Sequence, residues 1–387
     1  MTMSKRMDMS GTWRRWVLVG VIGLVGCRTA GSAGRGDGKT PIQEVEFDPV
    51  EITADLELEK LNDEELFAGG TAAYAAEDYK QAARYFGRLA DFHPHSKHRN
   101  QALYNAGLSH ERLDEWEQAL LRFSELADAE KGQGDALEAA FRVAEAYYYM
   151  NRFADAAAVL ATIAGRQDLP VGRRMEARVQ QGICEHRADR PEQAEALLRK
   201  ALSDYEVLSE KDEVEEHLPA QAHFYMGEIY RQYFEGVKLD PSKGVDKLAD
   251  DLNFKSELLL SAQGHYLRAI RVGHGDWATA SGAQIGAMYE NLYDHMVNTP
   301  APPELNPEEA QVYRQELRKK IRVLLTKSIN IYERTLEAAE RIGSQNVFVD
   351  RTRESLRKVR ELLLADADAD SAQEAAPPPE PRPKPHS

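Results

Sequence analysis

From about residue 61 onward, apolar positions recur in blocks with the 3.6-residue period of amphipathic helices. Openings such as Tyr79-Lys-Gln-Ala82 and Phe153-Ala-Asp-Ala156 are each followed by apolar residues three and four apart. Laid over one another, the blocks share one pattern. The first carries Gly70, Tyr79, Ala82, Phe86, Leu89 and Pro94. The second repeats it 37 positions on, with Gly107, Trp116, Ala119, Phe123 and Leu126. The third, again 37 on, has Ala144, Phe153, Ala156, Leu160 and Ile163, and the fourth, 38 on, has Gly182, Pro191, Ala194, Leu198 and Ala201. A small residue in one helix and an alanine in the next mark where two helices cross closely, and the aromatic or leucine fills the space beside them. Sustained period-2 alternation and Asn-Gly turns are absent, so the pattern predicts an all-α chain.

Later blocks are less regular. A fifth opens with Ala222, Met226, Gly227 and Tyr230, but residues 236–254 intervene before Ala262, Tyr266 and Ala269. A sixth has Ile285, Gly286 and Tyr289, followed by a Pro-rich break at 299–307. A long helical pattern then runs over about 307–342, with Tyr313, Leu317, Ile321, Leu324, Ile331 and Tyr332 near heptad spacing. A helix over 346–364 is predicted to cap the array, because terminal units of stacked repeats need a polar outer face. Residues 365–387, six of them proline, read as an extended, disordered tail.

This repeat spacing resembles the tetratricopeptide repeat (TPR), a pair of antiparallel helices. The resemblance implies an α-solenoid of about six helix pairs over 61–345, followed by the long C-terminal helix and its cap. In that family the first helices line a groove. Carried over position by position, the groove holds Phe67, Tyr104, Phe141 and Phe224 at one register and Tyr74, Tyr148 and Arg231 at another, with Glu111 and His186 between them. An open file of aromatics would suit an extended peptide or a partner's helix. The alternative is that neighbouring helices cover these side chains.

Composition narrows the function. The chain has 49 Lys+Arg against 64 Asp+Glu, a net charge of −15, which disfavours broad nucleic-acid binding. Within this acidic chain, Arg314, Arg318, Lys319, Lys320 and Arg322, with Lys327 nearby, concentrate positive charge on the long helix. They form a candidate patch for an acidic partner, anionic lipid or cell-wall polymer, or else pair with Glu308, Glu309, Glu316 and Glu333.

The N-terminus reads as an address. Lys5, Arg6, Arg14 and Arg15 precede the 11-residue apolar run 16–26, which is too short to span a bilayer and ends at Cys27. Leu24-Val25-Gly26-Cys27 resembles the bacterial lipobox. That resemblance implies a signal peptide over 1–26, acylation (palmitate among the chains) at Cys27, and a flexible acidic tether over 27–60. Arg28 after the cysteine implies export to the outer membrane, with the body in the periplasm.

Catalytic motifs are weak. Ala33-Gly-Arg-Gly-Asp-Gly-Lys-Thr40 fits the loose phosphate-loop pattern, but no strand precedes it and Pro41 follows. The loop His93-Pro-His-Ser-Lys-His98 is the one histidine cluster and falls where repeat units end. No catalytic, metal or cofactor residue is assigned, no small-molecule substrate is expected, and the chain is not expected to be an enzyme. Lipobox and repeats together resemble outer-membrane TPR lipoproteins, among them those of the myxobacterial adventurous gliding-motility complex and, more distantly, of the β-barrel assembly machine. They imply a scaffold binding other cell-envelope proteins, with β-barrel assembly or activation of a cell-wall enzyme as alternatives.

Overall fold

The computed structural model describes residues 57–129, 134–208 and 214–374. Among the described residues there are thirteen α-helices and no strand. They divide into two compact units, Met1–Ala146 and Tyr147–Ser387.

The first unit holds α1 (Asp63–Ala75), α2 (Tyr79–Phe92), α3 (Arg99–Arg112), α4 (Trp116–Ala129) and most of α5 (Asp135–Tyr149). Asn62 starts α1 with a capping box, accepting from the Glu65 N–H while its own N–H donates to the Glu65 carboxylate. The small residues of the repeat do the work the spacing predicts. A Cβ added to Gly70 would meet the Phe86 ring at 2.7 Å, and one added to Gly107 would meet Phe123 at 2.5 Å. Both rings are buried with Leu66, Leu89, Leu103 and Leu126, and each such side chain contributes about 1.5–3 kcal/mol on leaving water. Arg122 clasps both carboxylate oxygens of Asp91, tying α4 to α2.

The second unit holds α6 (Phe153–Ala164), α7 (Val171–Arg187), α8 (Pro191–Glu206), α9 (His217–Gly236), α10 (Val245–Val272), α11 (Gly275–Asn298), α12 (Pro307–Ile342) and α13 (Val347–Glu374). Gly182 packs on Leu198, Gly227 on Tyr266, and Gly286 on Tyr332. The first pair keeps the repeat's 16-residue separation. The other two are 39 and 46 residues apart because extra chain enters between the paired helices. In the fifth pair that chain lengthens α10 at its start, so residues 245–254 of the insertion are helical. In the sixth, the long helix α12 itself is the second member, and Ser328 Oγ donates to the Gly286 carbonyl at 3.0 Å.

Within four successive helix pairs the turn has one construction. Glu77, Asp114, Asn151 and Asp189 have φ between 57° and 60°, in the left-handed region. The next residue's N–H reaches back five positions (Asp78 to the Ala73 carbonyl, Arg190 to that of Glu185), the hydrogen bond of a Schellman motif. These residues repeat at the same 37-, 37- and 38-residue intervals as the packing positions.

Two boundaries are corrected. Residues 365–374, predicted as the start of the disordered tail, continue α13 beyond the predicted end at 364. Alanine recurs through this stretch and no proline occurs before Pro377, so nothing there removes a helix hydrogen bond. The signal segment, Cys27, residues 28–56 of the tether, the phosphate-loop-like stretch and residues 375–387 lie outside the described residues, while the end of the tether predicted as flexible to residue 60 is ordered, with Leu58–Lys60 a 3-10 helix and Leu58 buried. No described helix is long and apolar enough to cross a membrane.

Candidate functional site

In the first unit, Phe67 is half-buried, stacked on the His98 ring at 4.4 Å and edge-on to Phe86. His98 also meets the Glu64 carboxylate at 3.0 Å, and Ser96 donates to Asp63 at 2.6 Å. The 93–98 loop thereby ties the start of α3 to the start of α1. Among the described residues no three His, Cys, Asp or Glu side chains form a metal-binding group. Tyr74 is half-buried against Tyr79, and Tyr104 is half-buried edge-on to Phe123. Phe141 is buried, with 6% exposure.

Beside Tyr104 lies a charged cluster that the aromatic pattern did not single out. Arg142 is buried between Glu145, at 2.8 Å, and Glu111, at 3.4 Å. Burial raises the Glu111 carboxyl to about 8, with Arg142 opposing the rise and the Glu145 charge adding to it. Glu145 is the closer partner of Arg142, whereas Glu111 keeps one buried oxygen without a hydrogen bond among the described residues. The opposed signs at Glu111 and Arg142 were visible in the sequence, but their approach across 31 residues was not.

In the second unit, Tyr148 and Phe224 are buried rather than open. Tyr148 lies edge-on to Phe153 at 5.1 Å, with the Arg187 guanidinium 5.9 Å from its ring. Phe224 is enclosed by Tyr266, Trp277 and Phe348. Arg231 is half-buried and grips Glu228 through Nη2 at 2.7 Å. Glu228 also accepts from Tyr266 at 2.5 Å and Gln284 at 2.9 Å, joining α9, α10 and α11. So the predicted aromatic file does not stand open. Phe141, Tyr148 and Phe224 belong to the core because adjoining side chains cover them, while Phe67, Tyr74, Tyr104 and Arg231 keep partial exposure.

On α12, Arg314, Arg318, Lys319 and Lys320 are exposed and make no ion pair among the described residues, and Arg322 is half-buried. The intrahelical pairing allowed by the sequence does not engage those four. Glu309 closes the α12 cap on Asn306, and Glu333 binds Arg360 of α13. Val312 and Val323 are exposed among these cations, which makes a basic surface with apolar points. Cys184 is buried, and its thiol is pushed up to about 12 by burial, which leaves it protonated and unreactive.

Consecutive helix pairs locked by a small residue under a large one define the class: an all-α TPR-type solenoid fold. Residues 101–129, spanning α3 and α4, match the family described as Tetratricopeptide repeat. Among solved structures, the chain is similar to a TPR repeats protein from Bacteroides fragilis NCTC 9343, at 12% identity over 79% of this chain and 98% of that one, TM-score 0.28. It is also similar to a tetratricopeptide repeat protein from Parabacteroides merdae ATCC 43184, at 13% identity over 77% and 98%, TM-score 0.35. A third is a Rap protein complexed with Competence and Sporulation Factor, at 11% identity over 81% and 79%, TM-score 0.36. No curated protein matches the chain.

Proposed function

We propose that the chain is a protein-interaction scaffold tethered to the outer membrane by lipid on Cys27, its helical body in the periplasm, binding other cell-envelope proteins. The observation that carries the scaffold role is the succession of helix pairs with half-exposed Phe67, Tyr74 and Tyr104 on the first helices of one unit. Such aromatics offer large contact area with few rotors to freeze on binding. The tether rests on the order of basic residues, apolar run and cysteine at 5–27. Two or more acyl chains hold a protein stably, at about 0.8 kcal/mol per buried methylene.

The test is crosslinking and affinity purification from the native membrane, with the full chain compared with a Tyr74→Ala, Tyr104→Ala variant of unchanged helicity. Loss of specific envelope partners supports the role; retention of every partner rejects this face. Cys27→Ser is expected to move the protein from the detergent phase to the aqueous phase, and a variant that stays with detergent would reject the lipid anchor. Within this role we favour a trans-envelope motility assembly, on the lipoprotein resemblance. A catch dominated by β-barrel-insertion subunits would replace it with the assembly-factor reading. Lys319→Glu with Lys320→Glu asks whether the basic surface of α12 contributes to the same catch.

A further inference from the structure

Between α8, α9 and α10 lies a cavity of about 330 Å³ that no groove position predicted. This is close to the lower end of the volumes at which pockets hold small ligands, about 300–1,000 Å³. Leu202 and Met226 are buried and supply apolar wall. The half-buried rings of His223 and His265 stand 5.9 Å apart, and the exposed Arg199, Ser203, Glu206 and Arg268 complete the lining.

The polar groups here are under-used. The Nδ1 atoms of His223 and of His265 are buried, and neither has a hydrogen-bond partner among the described residues. Buried polar atoms without partners are uncommon and call for a ligand or an ordered water. Arg268 is exposed and makes no ion pair among the described residues, while Arg199 is bound to Glu195.

The sign of the local field selects the ligand class. Arg268 and Arg271 from α10 are the cations acting on His223, while Arg199 and Arg268 act on His265 with Glu195 opposing them. Glu206 is the one acid in the lining. Desolvation and these cations hold both imidazoles down at about 4, so they are neutral at pH 7. With Arg199 and Arg268 in the lining against the single acid Glu206, the charge around the two rings disfavours a metal dication and favours an anion. Each neutral ring can present one N–H, and a guanidinium offers two parallel donors to a carboxylate.

We infer that this cavity binds a small organic carboxylate, its charged end held by Arg268 and the two histidines and its short apolar stem lying on Leu202 and Met226. An anion between the rings offsets the neighbouring cations and raises the proton affinity of both imidazoles, so binding tightens modestly as the pH falls.

The test uses the full chain and hexanoate as probe, followed through the imidazole carbon–proton NMR signals of His223 and His265. Saturable shifts of both signals are expected, with both titrations moving upward by about one unit, which makes affinity about 1.6-fold higher near pH 5.5 than near pH 7.5. Arg268→Ala, a change at an exposed position, is expected to weaken binding about tenfold while helicity is unchanged. Inorganic phosphate is the comparison anion and zinc ion the comparison metal. Absence of saturable shifts, equal binding by Arg268→Ala, phosphate binding as tight as hexanoate, or a preference for zinc would each overturn the inference.

Discussion

Gly227 of α9 lies beneath the ring of Tyr266 of α10, so close that a Cβ on the glycine would come within 2.5 Å of Cε1. The same tyrosine's hydroxyl donates to the buried Glu228 carboxylate beside that glycine. One side chain thus fixes both the approach of the two helices and the partner of a buried charge. Gly227→Ala is expected to destabilise the protein by about 1–3 kcal/mol, since a packed ring must move. Tyr266→Phe keeps the packing and removes the hydrogen bond, at a cost of about 1.5–3 kcal/mol. Urea unfolding followed by circular dichroism measures both. A Gly227→Ala protein as stable as the parent would disprove the close approach.

Glu77 occupies the left-handed position that Asp114, Asn151 and Asp189 fill in the next three turns. Glutamate lacks the short polar side chain that lets Asn and Asp tolerate this region. Glu77→Gly should therefore raise stability by about 1 kcal/mol, and Asn151→Gly by less. Thermal melts of the two variants, run side by side, test the ranking.

The two carboxylates around Arg142 are expected to respond differently to neutralisation. Glu145→Gln removes the closer partner of a buried cation and should cost about 3 kcal/mol or more. Glu111→Gln replaces a carboxyl already raised to about 8 by burial, so it should be neutral or stabilising at pH 7.5. A stability ranking in the opposite order would reassign which acid holds Arg142.

His223 and His265 make stability fall on acidification. Both titrate near 4 in the folded chain against 6.5 ordinarily, so their contribution is complete above about pH 6.5. As pH drops from there towards 4, the unfolded chain takes up protons that the folded chain refuses, and stability is lost. The urea midpoint should fall between about pH 7 and pH 5, and less so in a His223→Gln, His265→Gln variant. An equal fall in the variant would assign the loss to other groups.

The separation of Gly70 from Phe86, repeated by Gly107 and Phe123 and by Gly182 and Leu198, was legible in the sequence because a two-helix hairpin with a short turn sets that spacing locally. The all-α class followed from it, and the long helix followed from the near-heptad spacing of Tyr313, Leu317, Ile321, Leu324, Ile331 and Tyr332. Longer-range choices were not legible. The pairing of Gly286 with Tyr332 and the meeting of His223 with His265 cross inserted stretches of chain, and the approach of Arg142 to Glu111 joins neighbouring repeats; periodicity carries no information about any of these contacts. Burial was equally hidden. Phe67 and Phe141 share one repeat register, yet one keeps exposure and the other is enclosed, because neighbouring side chains rather than register decide how much water each ring meets. Local spacing determined which helices form and how adjacent ones pair; only the packed tertiary structure decided which aromatics and charges remain available, since exposure depends on what the rest of the chain places against them.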